Sequence, residues 1–313
     1  MNEPAAVRAT FTQLRTFEAV VRLGGVGKAA VALHLAQPTA STQLKELAQA
    51  VGLTLFVPHG RGLKLTEEGE LLLAHTRELF AGWRRFEEDA AALRGLASGR
   101  LRIAAVTTTE YFLPELIGPF ARAHPGIDID LAVENRDAVV RRLERGDDEL
   151  AVMMLPPQDL PLQRWPFLEN PLVIVAPVGH PLARKKRVRL EQLVGEPRLT
   201  REAGSGTRAA SDEFLAERGV DWPPRMALGS NEAIKHAVIA GLGLAVLSRH
   251  TLGTSPERDG LIELPVAGFP IRRRWHLVWQ RDRKLSRPAR AFLDHLRQRL
   301  KSQGKDWEMP TLV

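Results

Sequence analysis

The sequence predicts an α/β multidomain chain, in which a small helical unit with a hairpin wing leads through one long helix into two α/β lobes. Three observations carry that expectation. Residues 24 to 52 read as two short helices joined by a tight turn, residues 67 to 93 carry an apolar seam of seven-residue period, and from Arg100 onward short apolar runs alternate with helical stretches. With 313 residues the chain is long enough for two or three domains and a sizeable core.

The first helical pair lies in GGVGKAAVALHLAQPTASTQLKELAQAVG, Gly24 to Gly52. Gly27 is expected as the N-cap of a helix over Lys28 to Leu35, Ala36 and Gln37 turn the chain, and Pro38 stands where a first helical residue can lack its N–H. In the second helix Ala40, Leu44, Leu47 and Val51 share one face, while Pro38, Ser41, Thr42, Lys45 and Gln49 share the other. Ala29, Ala30 and Ala32 would let the two helices cross closely. That is a helix-turn-helix outline whose second helix would read DNA, although the same spacing also describes two ordinary amphipathic helices. Phe11, Leu14, Phe17, Val20 and Val21 predict a preceding helix, capped by Thr10 or Thr12 and stopped at Gly24-Gly25. Leu53 to Val57 and Leu63 to Leu65 flank the turn Pro58-His59-Gly60-Arg61-Gly62 as a wing, where Arg61 and Lys64 suit phosphate or minor-groove contact.

Thr66 caps a helix running from Glu67 to about Leu93, with Glu67, Glu68 and Glu70 at the end where negative charge favours the helix dipole. Leu72, Leu79, Phe86 and Leu93 recur every seven residues, and Thr76, Trp83 and Ala90 fill the offset positions. One small domain cannot bury both sides of so long a helix. A dimer seam built on Leu72, Leu79, Trp83, Phe86 and Leu93 is therefore expected, with packing on the chain's own C-terminal domain as the alternative. Gly95, Ser98 and Gly99 mark a hinge.

Beyond Arg100, strands are expected at Leu101 to Val106, Ile127 to Val133 and Leu150 to Leu155, with helices at Tyr111 to Ala123 and Ala138 to Arg145, a parallel βαβαβ half. A second half takes Leu172 to Ala176, Arg198 to Thr200, Thr207 to Arg218, Met226 to Leu228, Asn231 to Ala240 and Leu244 to Leu247. Trp275 to Trp279 and Pro288 to Leu300 return to the first half, and the two lobes enclose a cleft. Its rim would be Thr107-Thr108-Thr109, Glu134-Asn135-Arg136, Gly204-Ser205-Gly206-Thr207-Arg208 and Gly229-Ser230-Asn231. The GSGTR loop offers backbone N–H groups, two hydroxyls and the Arg208 guanidinium to an anion, and is not a Walker loop. Capping of helices by Ser and Thr explains any one such loop equally well.

The formal net charge of +7 favours a polyanionic partner. Residues 1 to 65 carry seven Lys or Arg against three Glu, and the run from Arg272 to Lys301 is more basic still, either a DNA surface or a solvated helix face. There is no cysteine, so disulfides, thiolate metal sites and cysteine nucleophiles are excluded. The start lacks a secretion pattern and the longest apolar runs are short and glycine-broken, which predicts a cytoplasmic protein without a membrane partner. Nine histidines stand without HExxH or metal spacing, and no GxSxG occurs, so neither an enzyme, a metal nor a cofactor is expected.

Taken together, QLRTFEAVVRLGG, KAAVALHLAQPTAS, LFVPHGRGLKLTEEGE and LRIAAVTTTEYFLPELIGPFARAHPGI make the chain resemble LysR-type transcriptional regulators over nearly its whole length. Within that family ENRDAVVRRL, FLENPLVIVAP, REAGSGTRAA and GSNEAIKHAVIAGLGLAVLSRHTLG look most like regulators of the RuBisCO (Calvin cycle) operon. The resemblance implies a winged helix-turn-helix over residues 1–66, a pairing linker helix over 67–97, and over 98–302 an inducer domain shaped like a periplasmic binding protein, with a tail at 303–313. Lobe I would span about 98–168 and 269–302, and lobe II about 169–268. It also implies a homodimer or homotetramer, often an activator, acting on double-stranded promoter DNA and on RNA polymerase. Gln37, Pro38, Thr39, Ser41, Thr42, Lys45 and Arg61 would face DNA; Thr107, Thr109, Asn135, Ser205, Thr207 and Ser230 would approach an inducer such as NADPH, ribulose bisphosphate or a related phosphorylated metabolite. Three positions depart from the pattern: Gly27 replaces a Ser or Thr cap, Thr42 stands where Arg is frequent, and LFVP replaces LFxR. A solute-binding protein with an accessory helical domain is the competing reading.

Overall fold

A computed structural model describes residues 8–59, 62–93 and 99–304. The chain divides into two compact units, Met1–Glu87 and Glu88–Val313.

In the first unit, helix α1 (Phe11–Leu23) starts at Thr10, whose hydroxyl accepts from the Gln13 amide while the Gln13 side chain accepts from the Thr10 amide, and it ends at Gly24 in the left-handed conformation. Helix α2 (Val26–Ala32) begins earlier than the sequence indicated, because Gly25 and not Gly27 is its N-cap. Gly27 lies inside the first turn, where an added Cβ would stand 3.5 Å from the Gln37 side chain. The helix also ends at Ala32, and His34 takes a positive φ of 55° to turn the chain. Helix α3 (Gln37–Val51) then runs to Gly52, another left-handed cap. Ala29, Ala30, Ala40, Leu44 and Leu47 are buried where the three helices meet, around Leu14, Phe17 and Val20. Ala32, expected in that crossing, faces solvent.

The wing is the antiparallel pair β1 (Phe56–His59) and β2 (Gly62–Leu65), with Phe56 opposite Leu65. Pro58 and His59 extend β1 and are not part of the turn, and Arg61 lies outside the described residues. Thr66 caps helix α4 (Glu67–Leu93): its hydroxyl accepts from the Gly69 amide at 2.9 Å and donates to the Thr54 carbonyl at 2.6 Å. One side of α4 closes the small core, with Leu73 and Thr76 buried and Leu72 and Phe80 packed against it. Leu72, expected in the seam, is thus partly buried within its own unit. Leu79, Trp83 and Phe86 are 45%, 50% and 59% exposed on the same helix, and Phe11 stacks between Phe80 and Trp83. The surroundings of the Leu93 side chain lie outside the described residues.

The second unit is built on one nine-stranded sheet. Strand β3 (Gly99–Val106) pairs in parallel with β4 (Ile127–Glu134) and β5 (Leu150–Met153), joined through helices α5 (Leu113–Ala123) and α6 (Arg136–Arg145). Strands β7 (Arg198–Arg201), β8 (Pro224–Leu228) and β9 (Leu244–Ser248) form the second parallel group, with α7 (Gly206–Ala216) and α8 (Asn231–Ile239) between them. Two long antiparallel strands, β6 (Leu162–Pro177) and β11 (Ile271–Gln280), run between the groups, and β10 (Leu261–Glu263) adds to β6. The sheet order is β4-β3-β5-β11-β6-β9-β7-β8. Trp165, Phe167, Trp275 and Leu277 on the crossing strands are buried, and helix α9 (Arg287–Ser302) returns Phe292 and Leu296 to the Phe120 side of the core. Each parallel group therefore directs its strand ends and helix N-termini toward the crossing pair, where a ligand can meet free N–H groups.

Candidate nucleic-acid interface and effector cleft

Gln37, Pro38, Thr39, Ser41, Thr42 and Lys45 are all exposed on α3. The rotation that presents them is fixed from behind: the Thr16 hydroxyl donates to Gln43, and the Gln13 amide donates to Glu46 at 3.1 Å, so α1 grips the inner edge of α3. Among the described residues Ser41, Thr42 and Lys45 make no side-chain hydrogen bond, which leaves two hydroxyls and an ammonium available. Ser41 and Lys45 border a groove against the wing, floored by Leu44, Leu55 and Phe56. Lys64 is exposed on β2. A polar, cationic helix face beside a hairpin suits base-edge and phosphate contact in a duplex groove.

The cleft forms where the strand ends converge. Thr107 and Thr108 follow β3, Asn135 and Arg136 open α6, Arg201 ends β7, Ser205, Gly206 and Thr207 open α7, and all of them line one space together with the buried Trp275. Ser205 and Thr207 are 5% and 6% exposed, and Ser205 is the N-cap of α7 without making a side-chain cap bond. Neither hydroxyl has a hydrogen-bond partner among the described residues. Two hydroxyls of largely buried residues and the N–H groups of a helix start thus border the same space, an arrangement that an anion satisfies.

Arg201, only 2% exposed, organises the cleft wall. Its Nε and Nη2 donate to the Glu202 carboxylate at 2.8 and 2.9 Å, Nη1 to Asn231 at 2.8 Å, and Nη2 to Thr107 at 3.0 Å. Asn231 in turn donates to Thr108 at 3.3 Å. On the other side Arg136 donates to the Leu155 carbonyl at 2.7 Å and pairs with Asp137 at 3.3 Å. Each cleft arginine therefore has a carboxylate beside it, and the wall presents dipoles more than net charge.

Of the residues expected at the cleft, Thr107, Asn135, Ser205 and Thr207 line this space. Asn135 also caps α6, its side-chain oxygen accepting from the Ala138 amide. Thr109 and Ser230 do not line it. Thr109 is fully buried behind the wall, and Ser230 is an exposed N-cap of α8 accepting from Ala233. Arg208 turns away as well, toward the Arg201 carbonyl and Asp212. The charge comes instead from Arg136 and Arg201; the sequence signal for Arg201 was its place at the end of a strand, but a lone arginine there reads as exposed. The described residues contain no cluster able to hold a metal and no helix long and apolar enough to cross a membrane.

Known families account for both parts. The pattern of the bacterial regulatory helix-turn-helix protein, lysR family, matches residues 11–70, and that of the LysR substrate binding domain matches residues 94–301. The chain belongs to the LysR family. It is accordingly a DNA-binding transcriptional regulator with an effector-binding domain and not an enzyme, and the solute-binding alternative falls. Among similar LysR proteins, the HTH-type transcriptional activator CmpR of Synechocystis sp. is 41% identical, over 92% of this chain and 95% of that one. A RuBisCO operon transcriptional regulator of Allochromatium vinosum is also 41% identical, over 91% and 95%. The solved regulatory domain of CcmR from Synechocystis PCC6803, in complex with 2-PG, is 42% identical with a TM-score of 0.62, covering 64% of this chain and 96% of its own.

Replacing Ser41 and Thr42 together by Ala is expected to reduce the preference for operator over random DNA, by about 1–3 kcal/mol for each base edge left unread. Lys45→Ala should instead weaken both and lower the slope of log affinity against log salt by about one. Fluorescence anisotropy at several salt concentrations separates the two effects, and undiminished discrimination in the double variant would remove this face as the reader.

Proposed function

We propose that this LysR regulator controls CO2-fixation genes in response to a small phosphorylated carboxylate of the 2-phosphoglycolate kind. The reading is carried by Ser205 and Thr207 at the start of α7, two largely buried residues that line the cleft and whose hydroxyls have no partner among the described residues. A phosphate or carboxylate placed there accepts from both and from the adjacent backbone N–H groups, with Thr107, Thr108 and Asn135 opposite. The similar CcmR domain, solved with 2-PG, and the similar RuBisCO operon regulator support the ligand class and the genes. NADPH and ribulose bisphosphate, the other phosphorylated metabolites named from the sequence, carry the same phosphate chemistry and are the alternatives to test beside 2-phosphoglycolate.

The remaining parts fit a promoter-bound assembly. The exposed Leu79, Trp83 and Phe86 give α4 an apolar stripe that a second copy of the same helix covers, making a dimer, or a tetramer by further pairing, with two α3 helices for two half-sites. Such an assembly works in the cytoplasm, beside RNA polymerase.

Changing Ser205 and Thr207 together to Ala should lower 2-phosphoglycolate affinity at least about tenfold in calorimetry, since hydrogen bonds to charged groups contribute about 1.5–3 kcal/mol each. DNA binding without ligand should persist; equal affinity in variant and parent would reject α7 as the anion site. Leu79→Asp should shift light scattering toward smaller species, because a charge buried in the seam lacks a partner. An unchanged oligomer would assign the stripe to some other contact.

A further inference from the structure

Next to the cleft, a second set of contacts bridges the two strand groups without lining the ligand space. Tyr111, the chain's single tyrosine, ends the short turn Thr107–Tyr111 that begins with the cleft residues Thr107 and Thr108. Its hydroxyl donates to the Glu232 carboxylate on the first turn of α8, across 121 positions of sequence. Lys235 pairs with the same carboxylate at 2.7 Å, lies 5.2 Å from the Tyr111 ring centre, and donates to the Thr251 carbonyl at 3.1 Å. Glu232 directly follows Asn231, the residue that joins Arg201 to Thr108. Of the two segments that make this bridge, the one with Thr107 and Thr108 lines the cleft, and the one with Asn231 stands behind Arg201, which lines it too. The Tyr111–Glu232 bond therefore holds together the same two segments that meet at Thr108 and Asn231.

The protonation states suit a standing bond. Burial, reinforced by the neighbouring Glu232 carboxylate, pushes the Tyr111 phenol above the usual tyrosine range, so the donor keeps its proton. Burial alone would raise the Glu232 carboxyl, but hydrogen bonds from Lys235 and Tyr111 outweigh it and hold the group below its ordinary value, so the acceptor stays ionised.

We infer that Tyr111, Glu232 and Lys235 form a clasp that parts to admit the effector and closes behind it. Tyr111 and Glu232 are then positioning residues for effector binding, since neither lines the cleft. The inference rests on the effector cleft proposed above. It differs from a stability contact in its kinetic signature: a clasp governs the rates of entry and exit more than the final contacts.

The test uses the full chain with 2-phosphoglycolate as probe and Trp275, which lines the cleft, as a fluorescence reporter. In stopped-flow, Tyr111→Phe and Glu232→Gln should each raise the dissociation rate about tenfold or more, and the double variant should do no more than Glu232→Gln alone, because that change already removes the Tyr111 bond along with the Lys235 pair. Rates within twofold of the parent, or effects that add, would overturn the clasp. Fluorotyrosine incorporation labels position 111 alone, so fluorine NMR of the ligand-free protein gives an independent reading. Glu232→Gln should shift that line; an unshifted line overturns the clasp whether or not any ligand binds. If the parent binds no phosphorylated compound, the effector reading fails by itself, and the fluorine line still decides whether the bridge exists.

Discussion

A guanidinium withdrawn from water has to have its charge and its N–H groups answered, and in this chain that requirement falls on Arg201. An unpaired buried charge would cost several kcal/mol. Glu202 supplies the countercharge, and Asn231 and Thr107 take further N–H groups from two different strand groups. Because Thr107 follows β3 and Asn231 opens α8, satisfying one side chain fixes the spacing of the cleft walls. Arg201 is thereby occupied. What remains to meet a ligand are the α7 N–H groups and the Ser205 and Thr207 hydroxyls, which have no other partner among the described residues.

That division of labour has a consequence for selectivity. Since Glu202 and Asp137 stand beside the two arginines of the cleft, those charges are locally balanced, and the proposed effector would be held chiefly by oriented dipoles at short range. A compact acid that reaches those dipoles gains, while an apolar effector leaves them unsatisfied. The same economy appears on the DNA side, where Thr16 and Gln13 orient α3 from its inner edge and leave Ser41, Thr42 and Lys45 uncommitted.

Much of this was legible in the sequence. Periodicity located α1, α3 and α4, and the left-handed Gly24 stopped α1 where expected. The cleft was legible only in part, because a strand-end position says which loop approaches a site but not which way a side chain turns. Thr109 and Ser230 shared loop and chemistry with true wall residues, yet one turned into the core and the other capped a helix. The long crossing strands were also obscured: Pro166, Asn170 and Pro171 interrupt β6, and three consecutive arginines open β11, so neither shows a continuous apolar run. In the helix-turn-helix, spacing pointed to Gly27 as the cap, but Gly25 takes that role and Gly27 packs inside the first turn against Gln37.

An anion in the proposed cleft and a promoter on α3 are expected to act on one equilibrium. Reciprocal titration measures this most directly: operator affinity at fixed concentrations of 2-phosphoglycolate, then 2-phosphoglycolate affinity with and without saturating operator. Linkage requires the two factors to be equal, and couplings of this kind are typically about 1–3 kcal/mol, or roughly 5–150-fold. Equal, non-unit factors are expected, accompanied by a change in operator bend read by energy transfer between its ends. Saturating 2-phosphoglycolate that leaves both operator affinity and bend unchanged would contradict that expectation.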